Sequence, residues 1–227
     1  MARKNRGNAV HGWLVIDKGL NISSARVVSK AKKILNAAKV GHGGTLDPLA
    51  TGLLPLAFGE ATKTVSYMMA GKKTYTFTVS WGSTTDTDDA GGVAIKTSNV
   101  RPSKVQIEAI LQQFTGHIQQ VPPTYSAIKV DGKRAYALAR KEKKVKLEPR
   151  PIFIEKFKLI DIIDGDRASF VVTSGKGAYV RGLARDIAVS LGTVGHISEL
   201  RRTHVGPFSE KDAISLDQLE ELGHKGA

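Results

Sequence analysis

A glycine-rich stretch around one aspartate, residues 41–52, constrains this chain more than any other feature. It reads GHGGTLDPLATG. Its four glycines allow backbone conformations that other residues rarely adopt, and they let the backbone come close to a bulky ligand. Pro48 has a fixed φ and restricts the preceding Asp47 to extended geometry. The sequence therefore predicts a pre-shaped loop that holds one carboxylate, Asp47, and one histidine, His42, in fixed directions.

Loop chemistry alone leaves two interpretations of this stretch open. One is a structural loop with an Asx-type turn at Asp47. The other is a functional loop, because binding and catalytic residues are often carried on loops that a rigid scaffold positions.

Other familiar patterns fail on inspection. The acidic stretch at residues 86–91 lacks the calcium ligands expected at the fifth and twelfth loop positions, and we interpret it as an acidic turn. Residues 59–64 lack the spacing of a phosphate-binding P-loop. The six histidines are scattered without metal-ligand spacing. We therefore expect no metal site and cofactor-free chemistry.

Charge narrows the class of partner. The chain has 227 residues and a formal net charge of +13, which favours a polyanionic partner, most simply nucleic acid. It contains no cysteine, which excludes disulfides, thiolate metal sites and cysteine-ligated zinc deaminases. No apolar run is long enough to cross a bilayer, and no signal core follows the basic N-terminus. The cytoplasm is the expected location, with no membrane partner.

The positive charge is concentrated in one segment. Residues 129–150 contain nine basic and three acidic residues, which give almost half of the net charge. A solvated face is the simplest interpretation of such a run. The segment also has few large apolar residues, which favours weak packing and motion.

Hydrophobic periodicity indicates that helices and strands are intermixed. Ser23 or Ser24 can cap a helix with apolar residues between positions 27 and 35. Residues 73–81 alternate like a half-buried strand, and the Asp164-Gly165 turn predicts a hairpin between 152–163 and 168–173. Further expected elements are strands at 13–16, 53–58 and 125–130, the last running into an Asp131-Gly132 turn, and helices near 60 and at 178–191. A helix is also expected after Pro102, with its apolar face formed by Val105, Ile107, Ile110, Leu111 and Phe114. Without strict βαβ alternation, the pattern predicts an α+β fold with a mixed, mostly antiparallel sheet.

The glycine-rich stretch and five further motifs resemble the bacterial tRNA pseudouridine synthase B family. The motifs follow the family's order and span roughly residues 10–210: HG through DK at 11–18, GEATK at 59–63, KTY at 73–75, GAYVR at 177–181 and RRTHVGPF at 201–208. The resemblance implies the pseudouridine-synthase fold with a basic thumb, residues 125–151, that folds down on RNA. The implied thumb contacts with the RNA backbone are Lys129, Lys133, Arg134, Lys141, Lys143 and Lys144.

The same resemblance implies a reaction and a set of site residues. The T-loop uridine of tRNA is flipped out, its glycosidic bond is broken, and the base is reattached through C5 without a cofactor. Asp47 is the implied catalytic carboxylate, acting on the sugar as nucleophile or as base. Tyr75 stacks on the target base, and Arg181 pairs with the acid. The implied substrate-binding residues are His42, Lys18, Lys63, Tyr179 and Leu200.

The chain departs from the family pattern in places that leave these groups intact. Gly19 replaces a proline, Ala178 replaces a threonine, and residues 141–143 replace a glycine-containing bend of the thumb. Members of the family commonly continue into a small PUA-like RNA-binding domain. We expect that domain to be absent or truncated here, with 1–227 forming a single catalytic domain that binds the tRNA T-arm as a monomer without an obligate protein partner.

Two alternatives stay open at this point. One is a non-catalytic RNA-binding protein or tRNA chaperone on the same fold, which would not need a carboxylate facing RNA phosphates. The other is a guide-dependent relative that modifies other RNAs within a complex, which the short N-terminus and the bacterial-type thumb disfavour.

The thumb lysines generate the first prediction. Replacing Lys141, Lys143 and Lys144 with glutamine should weaken binding to all RNAs alike and flatten its salt dependence. Each phosphate contact contributes about 0.7–0.9 to the slope of log affinity against log salt. The modified uridine should not change, because phosphate contacts position the protein without reading sequence. Salt titrations of wild type and triple variant, with the modified site mapped for both, check this. An unchanged slope would mean that these lysines form only a solvated face.

Overall fold

The computed structural model describes residues 7–126, 128–130, 133–134 and 147–225. The chain forms two compact units. The first comprises Met1–Thr74 and Arg201–Ala227, and the second comprises Tyr75–Leu200. Two strands, β4 (Lys73–Trp81) and β12 (Gly195–Val205), contain residues of both units.

The first unit is built around a short sheet. Its N-terminal part contains β1 (Gly12–Lys18), α1 (Ser24–Ile34), β2 (Val40–His42), β3 (Ala50–Phe58), a 3-10 helix (Gly59–Thr64) and α2 (Val65–Ala70). Its C-terminal part contains β13 (Phe208–Ser209), a 3-10 helix (Glu210–Asp212), β14 (Ala213–Ile214) and α5 (Leu216–Lys225). The strand order is β14-β1-β3-β12, with β2 on β3 and β13 on β12. The β1–β14 pair is parallel, whereas β1–β3, β2–β3 and β12–β13 are antiparallel.

Helix α1 shows how the local sequence builds this unit. The Ser23 side chain caps the helix by accepting a hydrogen bond from the backbone N–H of Arg26. Val27 and Ala31, four residues apart, are fully buried, while the lysines fall on the exposed side. The apolar stripe predicted from the sequence is therefore the face that packs into the core.

The second unit contains a five-stranded sheet and a hydrophobic core of its own. Its elements after β4 are β5 (Ser83–Thr85), β6 (Ala94–Thr97), α3 (Lys104–Leu111), a 3-10 helix (Gln112–Phe114), β7 (Gly116–Gln120), β8 (Lys129–Val130), β9 (Lys133–Arg134), β10 (Arg150–Ile162), β11 (Arg167–Ser174), α4 (Val180–Ser190) and β12. The strand order is β12-β4-β11-β10-β7, while β5–β6 and β8–β9 form separate two-stranded sheets.

An aromatic cluster forms the centre of the second core. Phe170 is completely buried on β11. Its ring centroid lies 5.4 Å from that of Phe77, 5.9 Å from that of Phe157 and 6.3 Å from that of Trp81. The alternation along β4 predicted from the sequence places Phe77 and Trp81 on this buried face.

Most of the predicted elements are confirmed, including the mostly antiparallel α+β architecture, the Asp164-Gly165 hairpin and the helix after residue 178. Val105 was wrongly assigned to a buried helix face, because it is 76% exposed. It lies about 200° around the helix from the buried Ile107. Of the strand expected at 125–130, the described residues show Lys129–Val130 as strand. Among the described residues, the sequence patterns did not predict β2, β5, β6, β7 or any element after α4.

Several predictions concern features that the structure leaves untested. The turn at 131–132 and three thumb residues, Lys141, Lys143 and Lys144, lie outside the described residues. For Lys129, Lys133 and Arg134 the structure gives only the antiparallel β8–β9 pairing. The single-domain assignment over 1–227 stays a prediction. Within the described ranges, no helix is both long and apolar enough to span a membrane.

The aromatic cluster gives a stability prediction. Phe170→Ala should lower the free energy of unfolding by about 3–5 kcal/mol, because it removes buried apolar surface and leaves a cavity. Ile160→Ala is the control, since this apolar side chain on β10 is 55% exposed and its loss should cost no more than about 0.5 kcal/mol. Urea unfolding measures both. Equal losses would show that Phe170 does not anchor this core.

Candidate active site

The loop that carries Asp47 connects β2 to β3 in the first unit. The Gly43 N–H donates to the Pro55 carbonyl at 2.8 Å, and the Ala50 N–H donates to the Asp47 carbonyl at 3.0 Å. These bonds close the loop at both ends, and Asp47 itself is half-buried. The residues between them form no regular secondary structure, so their inward-facing carbonyls need donors from elsewhere.

A buried arginine supplies donors to the first half of this loop. The Arg202 side chain on β12 is only 1% exposed. Its guanidinium donates to the carbonyls of Gly44 at 3.0 Å, Thr45 at 3.4 Å and Leu53 at 2.8 Å. One side chain thereby ties the loop to the strand that follows it.

A serine and a lysine hold the second half of the loop. The Ser24 hydroxyl, at the start of α1, bonds both the N–H and the carbonyl of Leu46, each at 2.9 Å. The Lys18 ammonium, completely buried at the end of β1, donates to the Pro48 carbonyl at 3.2 Å. It also donates to the carbonyls of Gly19 and Ile22, both at 2.9 Å. Lys18, a predicted substrate-binding residue, thus lies beneath the loop with its ammonium bonded to backbone.

The electrostatics of the loop are dominated by cations. Burial lowers the pKa of Lys18 to about 8, an effect that the Asp47 carboxylate opposes and the Arg202 charge reinforces. Burial, together with Arg202, also lowers the pKa of Lys73 to about 8. At neutral pH both lysines are mainly cationic. The Asp47 carboxylate therefore lies close enough to the Lys18 ammonium to interact with its charge.

The other predicted residues of the first unit lie on neighbouring elements. His42 ends β2 and accepts a 3.4 Å hydrogen bond at Nδ1 from the Gly44 N–H. Its pKa is lowered by burial and then by Arg202, so the ring is neutral at pH 7. Lys63 is exposed on the 3-10 helix after β3 and forms an ion pair with Glu60. Whether His42 and Lys63 contact RNA stays a prediction.

In the second unit, Arg181 lies in the first turn of α4. It is buried, and its guanidinium donates to the carbonyls of Thr87 at 2.7 Å and Tyr125 at 2.8 Å. Its Nε lies 3.8 Å from an Asp89 carboxylate oxygen. Arg181 therefore connects the acidic turn at residues 86–91 with the segment that follows β7. Its predicted pairing with Asp47 stays a prediction.

A second arginine, one helical turn later, contacts the same two loops. Arg185 donates to the Asp88 carboxylate at 3.0 Å and to the Val121 carbonyl at 2.6 Å. Asp88 has a left-handed backbone, with φ of 61°. Burial raises its pKa, while Arg185 and Arg181 oppose that rise. The acidic turn predicted at residues 86–91 is therefore confirmed as a turn, and the arginines of α4 fix its position.

Three further predicted residues border the core of the second unit. Tyr75 on β4 and Leu200 on β12 are half-buried against it. Tyr179 precedes α4, and the buried Gln120 side chain holds its backbone, donating to the carbonyl at 3.0 Å and accepting from the N–H at 2.9 Å. Among the described residues, no group of three histidines or carboxylates could hold a metal ion.

The sequence reading missed the residues that support these groups. Arg202 lies within the RRTHVGPF motif at 201–208, but nothing in the pattern distinguishes it from Arg201, which pairs with Asp17 instead. Ser24 looked like one of two possible helix caps. For Arg185, a usable signal existed: arginines four residues apart on one helix, together with an acidic turn elsewhere in the chain.

Comparisons with known proteins agree on one family. A family model described as TruB family pseudouridylate synthase (N terminal domain) matches residues 32–180. A second, the tRNA pseudouridylate synthase B C-terminal domain, matches residues 181–225. The tRNA pseudouridine synthase B of Rhodospirillum rubrum is 55% identical over 224 residues, covering 99% of this chain and 73% of that protein. The protein of the same name from Gluconacetobacter diazotrophicus is 56% identical over 217 residues, covering 96% and 71%.

A solved structure gives an independent match. A chain in the crystal structure of a Cbf5-Nop10-Gar1 complex superposes with a TM-score of 0.74 at 30% identity, covering 96% of this chain. This chain spans 57% of the length of that one.

The close approach of β3 to β12 beneath the loop gives a testable prediction. Gly52 has φ of +99°, and an added Cβ would lie 2.2 Å from the Arg202 carbonyl oxygen. Gly52→Ala should therefore destabilise the protein by more than about 4 kcal/mol or prevent folding. Gly192→Ala is the matched control, because Gly192 also has positive φ but no atom within 4 Å of the added Cβ.

The control should lose only roughly 1–2 kcal/mol of stability, which is the cost of alanine in left-handed backbone. Urea unfolding of both variants separates strain from steric overlap. A similar loss in the two variants would show that the contact between Gly52 and Arg202 is not tight in solution.

Proposed function

Because this chain belongs to the TruB family of pseudouridylate synthases, we propose that it converts the T-loop uridine of tRNA to pseudouridine. The observation that carries this proposal is the Asp47 loop, whose backbone is bonded by three buried side chains: Lys18, Ser24 and Arg202. A loop that only binds RNA has no need to carry a carboxylate on a backbone held in this way. The relatives at 55% and 56% identity, both named tRNA pseudouridine synthase B, support the same substrate.

The proposed reaction is an isomerisation with balanced bonds. The bond between the sugar C1′ and the base N1 breaks, the base turns, and a new bond forms between C1′ and C5. The C5 proton is lost and N1 ends protonated, so no oxidant or reductant is needed. Asp47 acts at the sugar, either by attacking C1′ or by removing the 2′ proton.

The other roles follow from family resemblance and remain proposals. Tyr75 stacks on the flipped base and assists loss of the C5 proton. Arg181 keeps the catalytic carboxylate ionised. A neutral His42 suits stacking in the space that the flipped base leaves, since base stacking on an aromatic ring contributes about 1–3 kcal/mol. Tyr179, Leu200 and Lys63 complete the contacts with the substrate.

The proposed partner is the tRNA T-arm stem-loop, bound by a monomer without an obligate protein partner in the cytoplasm. The net charge of +13 supports a polyanionic ligand. Of the two alternatives, a relative that acts inside a complex is less well supported, because identity is 55% to a protein named tRNA pseudouridine synthase B and 30% to a chain of the Cbf5-Nop10-Gar1 complex. The non-catalytic one is decided by assaying the purified protein alone.

Substitution of the proposed catalytic carboxylate tests the function. Asp47→Asn should reduce the single-turnover rate at least ~10²–10⁴-fold, because the amide is neither a base nor a nucleophile. Its affinity for tRNA should stay nearly unchanged. The measurement is tritium release from unmodified tRNA labelled at C5 of uridine, with affinity measured separately by filter binding.

Asp161→Asn serves as the control, because Asp161 is exposed on β10 and its substitution also removes one negative charge. This variant should keep the wild-type rate. Wild-type turnover by Asp47→Asn would refute the assignment, and an inactive wild-type protein that still binds tRNA would favour the non-catalytic alternative.

A further inference from the structure

We propose that Ser24 is a positioning residue for Asp47: its hydroxyl fixes the peptide groups on the N-terminal side of the carboxylate. This inference rests on the proposed function, because it assigns Ser24 a part in catalysis through Asp47. Ser24 itself contacts backbone rather than substrate.

The Ser24 hydroxyl bonds both backbone groups of Leu46, as the backbone of a neighbouring strand would. The Ser24 Oγ donates its one proton to the Leu46 carbonyl and accepts from the Leu46 N–H, both at 2.9 Å. Ser24 is 3% exposed and Leu46 is 4% exposed. Water therefore has little access to replace the hydroxyl, and both backbone groups of Leu46 depend on it.

The position of Leu46 makes this contact relevant to catalysis. Asp47 follows it directly, so the Leu46 peptide groups set the starting point and direction of the Asp47 Cα–Cβ bond. On its C-terminal side, Asp47 is already restricted by Pro48 and by the Ala50 hydrogen bond to its carbonyl. Ser24 supplies the matching restraint on the other side.

Ser24 is not needed to start its own helix. The N-cap of α1 is Ser23, whose hydroxyl accepts from the Arg26 N–H at 3.2 Å. Two adjacent serines thus have separate tasks: Ser23 caps the helix, and Ser24 bonds the loop. Loss of either one removes a hydroxyl at nearly the same place in the chain, which provides a matched pair of variants.

The remaining supports allow the loop to survive without Ser24. Arg202 bonds the carbonyls of Gly44 and Thr45, and Lys18 bonds that of Pro48. Ser24→Ala should therefore leave a folded loop in which Leu46 and Asp47 have more freedom. A reacting group displaced by about 1 Å can lose about 10²-fold in rate.

The experiment compares Ser24→Ala and Ser23→Ala in single-turnover tritium release from tRNA, with tRNA affinity and melting temperature measured for each. Ser24→Ala should lower the rate about 10- to 100-fold while tRNA affinity stays unchanged. Ser23→Ala should lower the melting temperature and keep the wild-type rate. Ser24→Thr, which retains the hydroxyl, should recover activity. All rates are measured well below the lowest melting temperature.

Each outcome decides the proposal. A wild-type rate for Ser24→Ala, or an equal rate loss in Ser23→Ala, overturns it, because the hydroxyl would then have only a structural role. If Ser24→Ala does not fold, Ser24→Cys replaces it: the weaker hydrogen bonding of the thiol should give an intermediate rate, and a full rate overturns the inference. If the proposed function itself is wrong, the wild-type protein will release no tritium. That result is distinct from failure of the Ser24 proposal, in which the wild type is active.

Discussion

The hydrogen bonds from buried cations to backbone carbonyls are the interaction on which the Asp47 loop depends. Arg202 alone donates hydrogen bonds to three carbonyls, because a guanidinium has five N–H donors in a rigid fork. An irregular loop cannot satisfy its own carbonyls as a helix or strand does, and an unsatisfied buried carbonyl costs about 1–3 kcal/mol. The loop can therefore be both irregular and fixed. This arrangement also explains Gly52, since β3 must approach β12 closely enough for the Arg202 side chain to reach Leu53 and Gly44.

The second unit uses the same chemistry for a different purpose. Arg181 and Arg185 project from one face of α4, and both donate to carbonyls of irregular segments. Here the charges are also met by carboxylates, Asp89 and Asp88. Removing one partner of a buried ion pair leaves the other charge uncompensated. That removal costs more stability than the intact pair contributes. The acidic turn and the first turns of α4 therefore form one interdependent structure.

Sequence reading succeeded where a pattern repeats and failed where a contact is long-range. The alternation in β4, the apolar stripe of α1 and the Asp-Gly hairpin are local signals, and each produced the expected element. The β12 strand was missed because its residues, from His196 to Arg202, mix polar and apolar side chains without a clean period. Val105 was misassigned because hydrophobicity alone does not give angular position on a helix. Motif resemblance proposes Asp47, Tyr75 and Arg181 as site residues, but it could not show that Ser24 or Arg202 holds the loop, since those contacts join residues 22 and more than 150 positions apart.

The Lys18 ammonium that supports the Asp47 loop also interacts with the Asp47 carboxylate. Because burial lowers the pKa of Lys18 from 10.5 to about 8, its protonated form favours the unfolded chain. That cost is fully present below about pH 8 and is relieved as the pH rises toward 10.5. Asp47 opposes the shift for Lys18, so the carboxylate stabilises the cation that holds the Pro48 carbonyl next to it. An aspartate at this position is thus both the group that the loop presents and a part of what keeps the loop in place.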